Sequence, residues 1–246
     1  MATVLSGTSG ALYYKPAGTS STFKAADVDT ENDEINVGAF LNFKADDKVV
    51  FGGPGTLPGG LSSETAVLIK TYNASTGEAT FKSTADPAVD VSLSSAGTDG
   101  ATPFTIKFDE FQSVANVRSW SFEVTREEID VTSIGETLGQ AAPFRTFISG
   151  FADGTGSAEV YFTDDDTGIS SRLIEDVTQR LQSGATFKLY MDAVLSSGAP
   201  DPTKSRSIEV EAVLTAASFS VTPDDAQTVS VSFRPLTAPT FDFSKS

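Results

Sequence analysis

Asp164-Asp165-Asp166, followed by Gly168, Ser170 and Glu175, is the densest run of potential ligands in the chain. Counted from Asp164, Asp166 falls at position 3 and Glu175 at position 12, the spacing of carboxylates in a calcium loop. Such a loop turns sharply on a glycine at position 6, where this chain has Ile169. Without further assumption, the same acids read as negative charge gathered ahead of a helix N-terminus. The remaining chemistry is thinner. FGGPGTLPGGL (51–61) lacks the Lys-Ser/Thr of a phosphate loop, so its glycines are turns. Asn73-Ala74-Ser75 fits a glycosylation sequon but also an ordinary turn. A serine nucleophile needs a base, and the chain contains no histidine; a Ser–Lys pair would have no local motif behind it. Acids are plentiful enough for a paired-carboxylate hydrolase. The one beside aromatics, Glu123, points to the strand face opposite Trp120 and Phe122. With no cysteine there is neither a disulfide framework nor thiol chemistry. No enzyme, cofactor or metal is expected.

Composition limits the partners. At 39% hydrophobic and 20% charged residues the chain is globular rather than disordered. A formal charge of −16 is the wrong sign for a surface that gains affinity by neutralising phosphates, so tight nucleic-acid binding is not expected. An acidic surface suits either plain solubility or proximity to DNA without adhesion. No apolar run is long enough for a transmembrane helix, and the start, MATVLS, has no basic or apolar leader, so neither membrane insertion nor export is expected.

Texture divides the chain near residue 110. Every basic residue before Arg118 is a lysine, and all seven arginines lie at or after it. Residues 1–24 read as an N-terminal arm with Tyr13 and Tyr14 as anchors. Across 25–110, short runs (Lys48–Phe51, Ala66–Ile69, Ala79–Phe81, Phe104–Phe108) are broken by Gly/Pro/Asn turns, the pattern of a small all-β barrel or sandwich. Across 111–235, longer alternations centre on Ala158–Phe162, Phe187–Met191, Ile208–Leu214 and Val229–Phe233, with Phe219 and Val221 suggesting one more strand. Residues 236–246 read as a C-terminal arm. One helix is predicted, over GISSRLIEDVTQRLQSGA (168–185). Ile169, Leu173, Ile174, Val177 and Leu181 form its core-facing stripe. Thr167 or Ser170 would cap it, Arg172–Asp176 and Asp176–Arg180 would pair on its outer face, and Gly184 would stop it. The fold class is therefore all-β with one flanking α-helix: a sandwich or barrel core plus a smaller N-terminal β module.

A charged, alternating segment remains. In SWSFEVTREEIDVTSIGET (119–137), Trp120, Phe122 and Val124 alternate as core anchors of a strand, and dense charge follows at once. Taken with RTFISGFADGTGSAEVYFTDDDT, it resembles the phage tail tube (major tail) protein family, in which a strand enters a charged R-E-x-x-D-V-T-S-x-G segment. A G-x-x-x-x-T/S-G-S turn, an acidic cap and a helix follow. The matching positions are Arg126, Glu127, Asp130, Val131, Thr132, Ser133, Gly135, Gly150, Gly156, Ser157 and Asp164–Asp166, and the resemblance spans roughly 112–235. The first module more loosely resembles a small β module of tail and fibre proteins, either an exterior decoration or a replacement for part of the core.

The resemblance implies a structural virion protein: hexameric rings stacked into a tail tube, assembled in the host cytoplasm, through which DNA passes without specific binding. Implied partners are further copies of the chain, a tape-measure protein, terminator and baseplate or tip proteins, and a sheath where the tail has one. It implies a contact loop from about Glu127 to Phe147. Arg126, Glu127, Glu128, Asp130, Thr132, Ser133, Glu136 and Arg145 would be its inter-ring or inter-subunit residues, with Arg126 the choice for a carboxylate partner. Alternation offers Glu159, Glu209 and Glu211 as lumen acids, an outer solvated face being the equal alternative. Two other readings stay open at this level. One is a tail-end ring or injection-system tube protein, and the other a secreted β-sandwich adhesin or carbohydrate-binding module.

Overall fold

The structure is a computed structural model that describes residues 10–63, 65–114, 116–131, 145–161, 169–220 and 227–243. Two antiparallel sheets account for most of it. The larger runs in the order Gln112–Ser113, Ala11–Lys15, Thr186–Asp192, Arg206–Ser220, Thr228–Pro235, Phe147–Tyr161, Val117–Asp130, with Thr240–Asp242 also pairing on Arg206–Ser220. The smaller runs Ser20–Phe23, Phe104–Phe108, Lys48–Gly52, Ala66–Tyr72, Glu78–Ser83, Glu34–Asn36, Val28–Asp29. The fold is all-β, with one short α-helix among the described residues.

The larger sheet curls on the 15-residue strand Arg206–Ser220. Its first half pairs with Thr186–Asp192 and its second with Thr228–Pro235, with a register shift between Leu214 and Ala216 where it bends. Phe187 and Phe233 sit on the two neighbours of this strand, about 10 Å apart were the sheet flat. Their rings instead stack at 4.1 Å, so the sheet folds over itself as a sandwich-like half barrel. Leu12, Tyr14, Leu189, Val210, Leu214, Val229 and Val231 fill the interior. The separate strand expected at Phe219 is the end of this long strand, where Phe219 is exposed; Val221 lies outside the described residues.

The smaller sheet has its own core, built on Phe23, Phe51, Phe81 and Phe104 with Val49, Ile69 and Ile106. Edge-on contacts at 5.8 Å (Phe23–Phe51) and 5.1 Å (Phe51–Phe81) follow the ring quadrupoles. The Asn73 segment is a turn: Gly77, at φ +88°, closes it by donating to the Asn73 carbonyl.

The N-terminal arm expectation over 1–24 is corrected for its described part. Ala11–Lys15 is an interior strand of the larger sheet, because Leu12 and Tyr14 alternate inward and are fully buried. Ser20–Phe23 then edges the smaller sheet, and the chain returns at Gln112–Ser113 to pair with Tyr13 and Tyr14. The smaller module is thus an insertion between the first two strands of the larger one. The C-terminal arm (236–246) likewise carries a strand, Thr240–Asp242, laid along Ser207–Glu209.

The helix is shorter than its stripe. It runs Ile169–Glu175 and tightens into a 3-10 turn over Asp176–Thr178. Ser170 lies inside the helix rather than at its cap, and Thr167 and Asp164–Asp166 lie outside the described residues. Gln182 ends the helix by donating to the Asp176 and Gln179 carbonyls at 2.7 and 3.0 Å. Ile169 and Leu173 are buried, and Ile174 and Val177 pack against the core. Leu181, predicted on the same stripe, lies beyond the helix end and is exposed.

Candidate assembly surface

Val117–Asp130 and Phe147–Tyr161 form a hairpin of 14- and 15-residue strands, longer than most strands in the molecule. Its register runs from Val117↔Val160 to Asp130↔Phe147. The third strand, Thr228–Pro235, follows only as far as Gly156, opposite Phe233. Beyond that point the hairpin continues as a two-stranded arm that carries its own exposed apolar residues. Ile129 and Ile148 face each other across it, and Phe147 and Phe151 are exposed, Phe151 at 86%. A bulge between Arg126 and Glu128 places Gly150 and Phe151 opposite Glu127 alone, which turns the arm and throws Phe151 outward. The outer edge of Val117–Asp130 has no strand partner among the described residues.

At the root of the arm, packing is set by glycine. Gly156 lies opposite Phe122 on one side and Phe233 on the other, and the two rings are parallel at 6.3 Å with the glycine backbone between them. A Cβ on Gly156 would stand 2.2 Å from Phe233 Cζ. Trp120 and Phe122 are half-buried against the larger core, whereas Val124 is 49% exposed. Val124 instead lines a cleft of about 420 Å³ with Ala152, Gly154, Pro235, Leu236 and Phe241.

The charged residues expected in a loop prove to be strand residues in their described part. Arg126, Glu127, Glu128 and Asp130 all lie exposed on Val117–Asp130, in the part of the strand that extends past the pairing of Thr228–Pro235. Arg145 reaches Asp130 at 3.6 Å, an exposed pair contributing about 0–1 kcal/mol. Thr132, Ser133 and Glu136 lie outside the described residues. The three acids offered for a lumen do not share one wall. Glu159 sits on the hairpin half of the sheet, bound by Arg118 at 3.0 Å. Glu209 and Glu211 lie on the half paired with Thr186–Asp192, where Lys188 meets Glu209 at 3.1 Å. Because the sheet curls between these halves, their outer faces look in different directions.

A second cluster went unread in the sequence. Arg172 and Asp176 were predicted to pair on an outer helix face; both are buried, and they bind the inserted module instead. Arg172 forks onto Asp47 at 2.7 and 2.8 Å and also donates to the Asn42 carbonyl. Asp176 accepts from the Tyr14 hydroxyl and the Ala17 amide, each at 2.8 Å, and from the Asn42 amide at 2.5 Å. Arg180 lies over the Phe40 ring at 5.2 Å rather than beside Asp176. The only sequence signal was a pair of opposite charges on the shoulder of an apolar stripe, which surface pairs share.

Burial pushes the Asp176 carboxyl above its ordinary 3.8, outweighing the downward pull of Tyr14, Ala17, Arg172 and Asn42. Burial likewise drives the Tyr14 hydroxyl well up, with the Asp176 charge adding to it. A carboxyl raised in the folded state contributes stability that is full below its unfolded pKa and lost as pH rises through its folded one. Asp176→Asn is therefore expected to lose most ground to the native chain at acid pH, the gap narrowing toward neutrality. Urea midpoints of both proteins across that range measure it, and a gap that widens with pH contradicts it.

No metal-holding cluster of acids occurs among the described residues, and no helix there is long and apolar enough to cross a membrane. No family model matches the sequence, and no curated protein matches it. Among solved structures, the chain is similar to the tail of an empty gene transfer agent particle refined with C6 helical symmetry: 18% identity and TM-score 0.37, over 53% of this chain and 85% of that one. A native gene transfer agent virion gives 18% and 0.37, over 53% and 88%. The SPP1 tail tube, a hybrid of solid-state NMR and cryo-EM, gives 15% and 0.41, over 56% and 70%.

Proposed function

We propose that this chain is a self-assembling structural subunit of a phage tail tube, stacked as hexameric rings in the virion tail. The observation that carries the reading is the projecting hairpin. Two-stranded arms are marginal in water, and long open edges with exposed apolar residues invite strand pairing, so a monomer gains nothing from keeping one. A copy of the same chain that covers Ile129, Ile148, Phe147 and Phe151 resolves both problems, and closure of a ring removes the open edges. Arg126, Glu127, Glu128 and Asp130, exposed along the same arm, then set register between copies. The sequence resemblance supplies the class: a tube assembled in the host cytoplasm around a tape-measure protein, bounded by terminator and baseplate proteins, with DNA later passing through. The net charge of −16 suits a conduit that does not hold DNA.

Electron microscopy of the concentrated protein is expected to show rings or tubes about 100 Å wide, the size of six compact domains around a channel. Replacing residues 129–148 with an Asn-Gly turn between the opposed Glu128 and Ser149 removes the outer part of the arm, with Ile129, Asp130, Phe147 and Ile148, and leaves the part nearer Gly156. This variant should keep the Trp120 emission and thermal unfolding of the native chain and form no tubes. Tubes of normal length from it would overturn the reading of the arm, and loss of the fold would show the arm to be part of the core.

A further inference from the structure

We propose that Arg172, Asp176, Asn42 and Asp47 form a clasp that fixes the orientation of the inserted module on the larger sheet, so that the two move as one body. The two apolar cores share no residue, and the covalent joints are only the short connections 16–19 and 109–111. These connections run side by side: the Phe108 amide donates to the Thr19 carbonyl at 3.1 Å, and Lys15 Nζ donates to the Asp109 carbonyl at 2.7 Å. Two adjacent joints make a hinge, and something across the interface must stop it from turning.

The clasp has the chemistry for that task. The Arg172–Asp47 pair is 7% and 8% exposed at its side chains and bidentate, and Lys44 donates its backbone N–H to the same Asp47 carboxylate at 2.8 Å. The guanidinium also lies over the Phe108 ring at 5.6 Å, beside the connection itself. One turn on, Asp176 gathers three donors from Tyr14, Ala17 and Asn42, and Asn42 donates again to the Ala17 carbonyl at 3.1 Å. Buried ion pairs add little net stability, since desolvation offsets most of their attraction, but a planar fork and a fully engaged carboxylate tolerate only one mutual orientation. The set thus acts on geometry more than on stability. The fork engages Asp47 and Asn42 through its two terminal nitrogens, and Arg172 Nε is buried without a hydrogen-bond partner among the described residues.

The test uses the full chain. The double variant Arg172→Met/Asp47→Leu removes both charges of the bidentate pair, so neither partner is left as an unpaired ion, while Asp176 keeps its three donors. It is expected to retain the Trp120 emission of the native protein, to unfold in two thermal transitions instead of one, and to be cleaved several-fold faster within 16–19 and 109–111 under limited proteolysis. Small-angle scattering should show a larger radius of gyration. One transition with unchanged cleavage and scattering overturns the proposal. Arg172→Lys keeps the charge and loses the fork, and it decides the matter if the double variant does not fold. Faster cleavage at the connections supports the clasp, and native cleavage overturns it. Tube formation plays no part in these readouts, so the clasp can fail while the tube reading stands, and the reverse.

Discussion

Gly156→Ala is expected to destabilise the chain by about 3 kcal/mol or more, the upper range for forcing extra volume into a packed core. The direction is the informative part. Inside a strand, alanine is ordinarily the better residue by roughly 0.5–1 kcal/mol, because glycine loses more backbone freedom on folding. Here the new methyl would stand 2.2 Å from Phe233 Cζ and 2.3 Å from Cε2, and the Phe233 ring cannot retreat because Phe187 is stacked against its other side at 4.1 Å. Chemical denaturation of Gly156→Ala beside Gly156→Ala/Phe233→Leu provides the measurement. The smaller side chain should return a substantial part of the loss, and a single variant as stable as the native chain would show that the ring has room to move.

Truncating Phe187 to alanine is expected to cost roughly 3–5 kcal/mol, the usual range for deleting a buried aromatic ring. Phe187 is fully buried, stacked on Phe233 and tilted against Tyr14 at 4.8 Å, so one ring ties together the strands Ala11–Lys15, Thr186–Asp192 and Thr228–Pro235. A loss of that size is a large share of the roughly 5–15 kcal/mol that holds a typical domain together. The urea midpoint should fall with little change in slope. Phe51→Ala offers the contrast, since it empties the separate core of the inserted module. A Phe187→Ala midpoint within error of the native value would mean that the two halves of the sheet do not depend on this contact.

The strands were legible because alternation is a local property. Val49 and Phe51, Phe187 and Leu189, and Val229 and Val231 all point inward as their spacing requires. The same rule failed at Val124, which continues the Trp120–Phe122 face in sequence but stands past the edge of the sandwich. Alternation says which residues share a face and is silent on where the opposite sheet ends. In 1–24 the rule holds where an arm was expected, since Leu12 and Tyr14 alternate inward on Ala11–Lys15 and are fully buried.

For the helix, Ile169 and Leu173 of the apolar stripe are buried, while the helix ends before Leu181, and Arg172 and Asp176 face inward. A solvent-exposed i,i+4 pair and a pair of separate buried clasps leave the same letters in the sequence. Only the arrival of Asp47 and Asn42, more than a hundred residues away in the chain, distinguishes them.

By itself, the sequence determined an all-β protein with one helix, free of histidine and cysteine, acidic, and carrying a dense run of charge at 126–130. These follow from composition and short-range periodicity, which depend on neighbours in the chain. The tertiary structure alone decided that the first module is an insertion between two core strands, that Arg172 and Asp176 face it, that Glu159 stands apart from Glu209 and Glu211, and that the hairpin outruns its sheet at Gly156. Each of these depends on which distant strands pair and where the sheet bends, and pairing partners are set by the closing of a common core rather than by any local run of residues.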